Sequence, residues 1–471
     1  MKKEDICYMS AWEMREKITN QELTSQEIIE AIIERIEKIN PVINAYCTPT
    51  FELAREMAKH ADNRVKNNEK IGLLNGIPTS IKDLMFTKGI RTTFGSKIYE
   101  DFIPNEDDIA VKRLKDAGCV ILGKTNTPEF GAAGVTYNPV FGETKNPWKL
   151  DRTSGGSSGG AAAAAVSGIS PLALGSDGGG SIRHPACLCG AYGIKPHFGR
   201  VPTYPREGIA GETFSCYGPI VRYVKDAALM LDVLAGPHNA DRYSLPAQEI
   251  NYFEKVDIIP NKLRVGYSLD LGYAKIIDNE VEKSFFNAIE TFKQYDWEFE
   301  EIKIKLRKPH IPYLTFHTAM PAYDLKPKLN KFKDVINEEL LKMINAGYGY
   351  DAMGIMQAMA LRNQIYDAFY PIFEKYDVLL TPTTATTAFK LGQLFPMEIN
   401  GKGVAPLTWM PYTYIFNLTQ HPAATIPSGF SSEGLPIGLQ IVGRRFDELT
   451  VLQVSKAFEN ITPWQEKKPQ L

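Results

Sequence analysis

Cysteine is scarce, with six residues in a chain of 471. A disulfide framework needs many cysteines in a short secreted chain, and this sequence has neither feature. Cys187 and Cys189 form a lone C-x-C with no second pair. They read as small reduced thiols, buried or half-buried, rather than as a metal site. Charge of one sign is missing too: 53 lysines and arginines face 55 aspartates and glutamates. There is no basic stripe for nucleic acid and no acidic tail for a cationic partner. No stretch approaches the roughly 20 apolar residues that span a bilayer, so no membrane insertion is expected. The start, Met1-Lys2-Lys3-Glu4-Asp5, leads into no apolar run, and Trp12 is followed by Glu13, Arg15, Glu16 and Lys17. That pattern does not predict a secretory signal and points to the cytosol. Internal repeats and low-complexity segments are absent as well.

What is present is ample apolar content, 44% of residues, in an alternation of strand and helix signals. Thr24-Ser25-Gln26-Glu27 is a capping box, followed by Ile28, Ile29, Ile32, Ile33 and Ile36 at helical spacing. Asn40-Pro41 is expected to end that helix. A second, more polar helix is predicted from Phe51 to about Lys66. Further helices are predicted at 107–117, 161–167 and 448–459. Strands are predicted at 119–123, 171–175, 263–267, 377–380 and 437–442. This order predicts one α/β domain over residues 1–471, a sandwich around a mixed sheet. Its core is expected at about 60–235 and 405–465. The irregular stretch from about 240 to 405, rich in Tyr, Pro and Lys, is expected to form a substrate-facing cap.

The richest segment holds two glycine-flanked serines. Gly155-Gly156-Ser157-Ser158-Gly159-Gly160 is followed by Asp177-Gly178-Gly179-Gly180-Ser181-Ile182-Arg183. Glycine lets backbone approach a ligand closely, and successive free N–H groups can converge on one oxygen. Acyl transfer needs such an anion hole for its tetrahedral intermediate. Gly178, Gly179, Gly180 and Ser181 are the candidate donors. Neither segment ends in Gly-Lys-Ser/Thr, so a Walker loop is not supported. The residues before Gly155 do not read as the buried strand that a dinucleotide fold requires. Gly155-Gly156-Ser157-Ser158-Gly159 does match G-x-S-x-G, which would make Ser157 the nucleophile of an esterase-type hydrolase. The strand and oxyanion loop that should precede it are missing, and no later histidine stands in a triad context.

A serine nucleophile needs a base. Lys82 lies in Gly76-Ile77-Pro78-Thr79-Ser80-Ile81-Lys82-Asp83, an apolar-leaning strand after a turn. Desolvation would lower its pKa and leave a neutral amine able to accept a proton. On local sequence alone it reads more readily as a surface lysine paired with Asp83.

The segments around Gly76–Asp83, Gly155–Gly160 and Gly175–Pro185, in this order and spacing, together resemble the amidase signature family. The resemblance extends to Gly434-Leu435-Pro436-Ile437-Gly438-Leu439-Gln440-Ile441-Val442-Gly443 and is weakest from about 240 to 400. It implies a large α/β/α sandwich around a twisted mixed sheet, no metal and no cofactor. It implies that Ser181 is the nucleophile, Ser157 a bridging serine at a cis peptide, and Lys82 the base. Asp177 and Arg183 match positions that brace the loop. The implied activity is hydrolysis of a small-molecule amide through an acyl-enzyme. Position 178, often Thr in the family, is Gly178 here; its N–H remains, and members acting on aminohexanoate oligomers share the glycine. The family also includes the glutaminase subunit of tRNA-dependent amidotransferases, but the helix around Met353–Arg362 lacks that subunit's arginine-rich pattern. The aromatic run Trp409, Tyr412, Tyr414, Phe416 reads as core, yet the resemblance places it near the substrate funnel. Trp409, Tyr412 and Phe416 are therefore the candidate pocket residues. A homodimer is the assembly that symmetry statistics favour.

Overall fold

The computed structural model describes residues 1–205, 209 and 213–471. Among the described residues, eleven strands form one sheet: β1 (Tyr46–Pro49), β2 (Pro78–Lys82), β3 (Val120–Thr125), β4 (Leu172–Asp177), β5 (Tyr192–Lys195), β6 (Cys216–Val221), β7 (Arg264–Tyr267), β8 (Glu298–Glu301), β9 (Val378–Pro382), β10 (Ala423–Phe430) and β11 (Pro436–Gly443). Their order across the sheet is β1-β3-β2-β4-β6-β5-β10-β11-β9-β7-β8. The runs β3-β2-β4 and β9-β7-β8 are parallel, and the remaining neighbours are antiparallel. The sheet is mixed, as expected.

Side chains alternate across a strand, so a sheet covered on both faces sends odd and even positions to different cores. Leu172 and Leu174 of β4 join the largest core with Val378 and Leu380 of β9 and Ile441 of β11. Ala173 joins the cluster under the alanine-rich helix Gly159–Val166. Leu379 and Val442 join a third cluster with Trp409, Tyr412 and Phe416. Helices therefore cover both faces.

The capping box at Thr24 opens a helix at Ser25, as predicted. That helix does not stop at Asn40-Pro41; it runs on to Ile43. Pro41 lies so near the end that its missing N–H costs little. The true stop is Asn44 in the left-handed conformation, with the Asn40 side chain accepting from the amides of Ala45 and Tyr46. The helix Phe51–Lys66 has the predicted bounds. β3 continues past Gly123 through Lys124 and Thr125, both buried. Of residues 240–405, three segments (β7, β8 and β9) pair into the main sheet. Helices His310–Phe332, Glu338–Gly347 and Ala352–Lys375 stand between β8 and β9 in the chain. Among the described residues no helix is long and apolar enough to cross a membrane. Five cysteines are buried, Cys47 is half-buried, and all six are free thiols.

Candidate active site

Lys82 is the last residue of β2, a strand with every residue buried between β3 and β4. The strand end delivers the ammonium stem to a buried site. The Lys82 Nζ donates to Ser157 Oγ at 2.6 Å and to Ser176 Oγ at 2.9 Å. Among the described residues its hydrogen-bond partners are these hydroxyls, and it forms no ion pair. Asp83 faces elsewhere, accepting from the amide and hydroxyl of Thr93. The surface pairing of Lys82 with Asp83 is thus not found. Burial lowers the Lys82 pKa to about 7, and the negative charge of Asp177 opposes that fall only in part.

Ser157 lies just before the helix Gly159–Val166, and the Gly156–Ser157 peptide is cis. Ser181 lies in the turn between β4 and the helix Arg183–Cys189. It is half-buried, whereas Ser157 is buried. Backbone contacts bring the two glycine-rich segments together: the Ser158 amide donates to the Ser181 carbonyl at 3.1 Å. The Ser158 hydroxyl adds a bond to the Ser176 carbonyl at 3.3 Å.

Asp177 organises the turn that carries Ser181. Its carboxylate accepts from the amides of Gly180 at 2.8 Å, Ile182 at 3.1 Å and Arg183 at 3.3 Å. It also takes a two-pronged bond from the Arg183 guanidinium, at 2.9 and 2.8 Å. Both side chains are fully buried. Burial alone would raise the Asp177 pKa, but the adjacent guanidinium outweighs it and holds the carboxyl well below the usual range. The remaining Arg183 donors reach Asn417 Oδ1 at 2.6 Å, Gln440 Oε1 at 2.7 Å and the Thr413 carbonyl at 3.0 Å. Each guanidinium nitrogen is matched, which a buried ion pair requires. Asp177 and Arg183 thus tie the serine turn to the strand and helix on either side of it.

The same bracing corrects the expected anion hole. The Gly180 N–H is committed to Asp177 and cannot also serve a substrate oxygen. Gly180 is required for another reason: its φ is +129°, and a Cβ there would come within 2.3 Å of the His184 ring. The amides of Gly178, Gly179 and Ser181 meet no acceptor among the described residues. They are the donors left for an anion.

Sequence reading missed Ser176, Thr413, Asn417 and Gln440. The last two carried a signal: Gln440 sits inside an apolar strand and Asn417 inside an aromatic run. Buried polar side chains in apolar surroundings mark a hydrogen-bond network. His184 was seen but given no role. Its Nε2 lies 2.5 Å from Thr413 Oγ1, which itself donates to the Gly179 carbonyl. Burial draws its pKa down to about 3, so it is neutral. Ser157 is bonded by a lysine and not by a histidine, so the esterase-type reading of G-x-S-x-G finds no partner here among the described residues.

A cavity of about 230 Å³ lies beside this centre, with Val135, Leu340, Met343, Phe395, Trp409 and Met410 in its wall. Its wall reaches the centre at two places. Val135 lies against Gly156, leaving no room for a side chain there, and Trp409 packs on His184 at 5.1 Å. Of the three predicted pocket residues, Trp409 is on this wall. Tyr412 and Phe416 are not. Tyr412 is wholly buried and donates to the Leu269 carbonyl, and Phe416 packs edge-on to Phe369. These two are core residues that fix the segment carrying Trp409.

An α/β sheet that brings a buried lysine to a glycine-framed serine pair is a fold and site of an amide-hydrolysing class, and sequence comparison places the chain in that class. The chain belongs to the amidase family, whose model matches residues 27–452. It is 37% identical to the acylamidase of Rhodococcus erythropolis, an alignment covering 100% of this chain and 98% of that one. It is also 36% identical to a glutamyl-tRNA(Gln) amidotransferase subunit of Carboxydothermus hydrogenoformans, over 99% of this chain and 100% of that one. A bacterial aryl acylamidase of the amidase signature family superposes with a TM-score of 0.91 at 30% identity, covering 98% and 97% of the two chains. Overall identity does not separate an acylamidase from an amidotransferase subunit.

Proposed function

We propose that this protein is a stand-alone amidase that cleaves an apolar, aryl or oligomeric amide through an acyl-enzyme on Ser181. The observation that carries the reading is the buried Lys82, whose hydrogen-bond partners among the described residues are hydroxyls, with Ser157 Oγ at 2.6 Å. With its pKa drawn down to about 7, a large share of Lys82 is neutral amine at neutral pH. One N–H stays on Ser176 Oγ while the lone pair takes the Ser157 proton. Ser157 takes the Ser181 proton as Ser181 Oγ bonds to the carbonyl carbon. The amides of Gly178, Gly179 and Ser181 hold the developing oxyanion. The C–N bond then breaks as the proton returns through Ser157 to the leaving nitrogen. Water hydrolyses the acyl-enzyme by the same relay in reverse. The scheme needs no metal and no cofactor.

The cavity beside Trp409 is the proposed acyl or aryl pocket, since its wall is mostly apolar. The helices from His310 to Lys375 are the proposed cap.

The competing reading, a glutaminase subunit, has the 36% identity in its favour. Free glutamine carries two charges that a site must match. Arg362, in the helix Ala352–Lys375, donates to the Leu418 carbonyl at 2.7 Å, the Thr213 hydroxyl at 2.6 Å and the Thr213 carbonyl at 3.0 Å. These bonds take three of its five N–H donors, so the substrate panel below decides between the two readings.

The test is amine or ammonia release from glutamine, a fatty amide, an aryl acylamide and an aminohexanoate oligomer, wild type beside Ser181→Ala. Turnover of an apolar or oligomeric amide is expected, with a loss of about 10⁴-fold or more in the variant. Retained activity in Ser181→Ala would sink the mechanism. Turnover of glutamine alone would favour the amidotransferase reading.

A further inference from the structure

Tyr313 lies in the first turn of the helix His310–Phe332, outside the sheet. Its ring is clamped on both faces. It stacks on His317 at 5.1 Å with 14° between planes, and on Tyr414 at 4.8 Å with 20°. The residue is 5% exposed. A ring held this way fixes where its hydroxyl points.

The hydroxyl points at the turn that carries Ser181. A Cβ built on Gly179 would come within 2.3 Å of it, so the approach depends on that residue having no side chain. Among the described residues the hydroxyl has no hydrogen-bond partner. The ring is buried, but the hydroxyl oxygen is not among the sealed-off polar atoms of the described residues, so it stands open to a bound group. The nearby carbonyl of Gly179 is already taken by Thr413 Oγ1 at 2.7 Å. The turn that the phenol meets at Gly179 also carries the amides of Gly178 and Ser181, and all three amides meet no acceptor among the described residues. Among the described residues, three N–H groups without an acceptor thus lie on one short turn beside the half-buried Ser181, and the Tyr313 O–H meets that turn at Gly179.

We infer that the Tyr313 hydroxyl donates a hydrogen bond to the acyl oxygen of the bound substrate, as a further donor beside the loop amides. The inference rests on the amide-hydrolysis reading above. A neutral phenol can support negative charge on that oxygen without exchanging a proton. The leaving nitrogen is served separately through Ser157. Burial holds the Tyr313 pKa above its ordinary value, so it stays a donor across the working range. The helix that supplies it belongs to the proposed cap, so the cap contributes to the chemistry as well as to the pocket.

The experiment is Tyr313→Phe, which keeps the stacked ring and removes only the hydroxyl. kcat and KM are measured on one amide and on the ester of the same acyl group, with the unfolding midpoint followed in parallel. The expected result is a fall in kcat of about 10²-fold on both substrates, from loss of one oxyanion donor, with KM and midpoint little changed. An unchanged kcat on both substrates would overturn the assignment. So would a loss confined to KM, or a loss on the amide alone, which would put the hydroxyl on the leaving nitrogen. Ser181→Ala is run alongside. A dead Ser181→Ala with a fully active Tyr313→Phe overturns only the tyrosine; an active Ser181→Ala overturns the function.

Discussion

The helix Gly159–Val166 buries every one of its residues, whereas Ala352–Lys375, three times as long, buries only Ala358, Ile365, Phe369 and Phe373. The first sits under the serine loops, and the second leaves Met353, Met356 and Met359 more than 45% exposed. The contrast extends to the ionic groups. In the sheet half, Asp177 and Arg183 match each other donor for acceptor at full burial. In the helical half, Lys342 pairs with Glu338 and Glu339 in open solvent, where such contacts contribute little. The proposed chemistry is anchored where the packing is closed on every side. If the helices from His310 to Lys375 form the proposed cap, selectivity falls to the more exposed of the two regions.

The sharpest way to break that comparison is at the brace. Asp177→Asn leaves Arg183 buried without its carboxylate, which is expected to cost about 3–5 kcal/mol. Denaturant unfolding measures it directly. A midpoint equal to wild type would mean that the buried pair does not hold the loop. A smaller effect is expected on the cavity side. Trp409→Phe, which keeps a ring against His184 and enlarges the cavity, should raise KM severalfold with a smaller change in kcat. If kcat fell as far as KM rose, the wall and the reacting centre would not be separable.

The same contrast explains what the sequence made legible. Glycine density draws attention to the two serine segments, but the roles given to Lys82, Ser157, Ser181, Asp177 and Arg183 come from the family resemblance, and local sequence alone favours a surface place for Lys82, which is buried. The capping box at Thr24 is legible because it is a local signal. Pro41 misled, because a proline one turn from a helix end breaks little, and the decisive Asn44 has to be seen in the left-handed conformation. β3 was read short because Lys124 and Thr125 look like a strand end. They stay in the sheet because Lys124 meets the Thr87 and Thr92 hydroxyls and the Met85 carbonyl, all supplied by a distant segment. Gly180 was placed in the anion hole because nothing in the sequence says that Asp177 folds back to claim its amide. Tyr412 and Phe416 failed as pocket residues because an aromatic run shows no direction. Which ring faces a cavity depends on Phe369 and Leu269, far away in the chain.

The central claim is that a neutral Lys82 drives the reaction through Ser157. The most direct test is the pH dependence of kcat/KM on the preferred amide, wild type against Lys82→Ala. The lysine is active when neutral, so the wild-type rate should be low in acid, rise through about pH 7 and level off above it. Lys82→Ala should lose the limb together with most of the rate. A wild-type profile that is flat across neutrality, or a limb near pH 7 that survives in Lys82→Ala, would contradict the account.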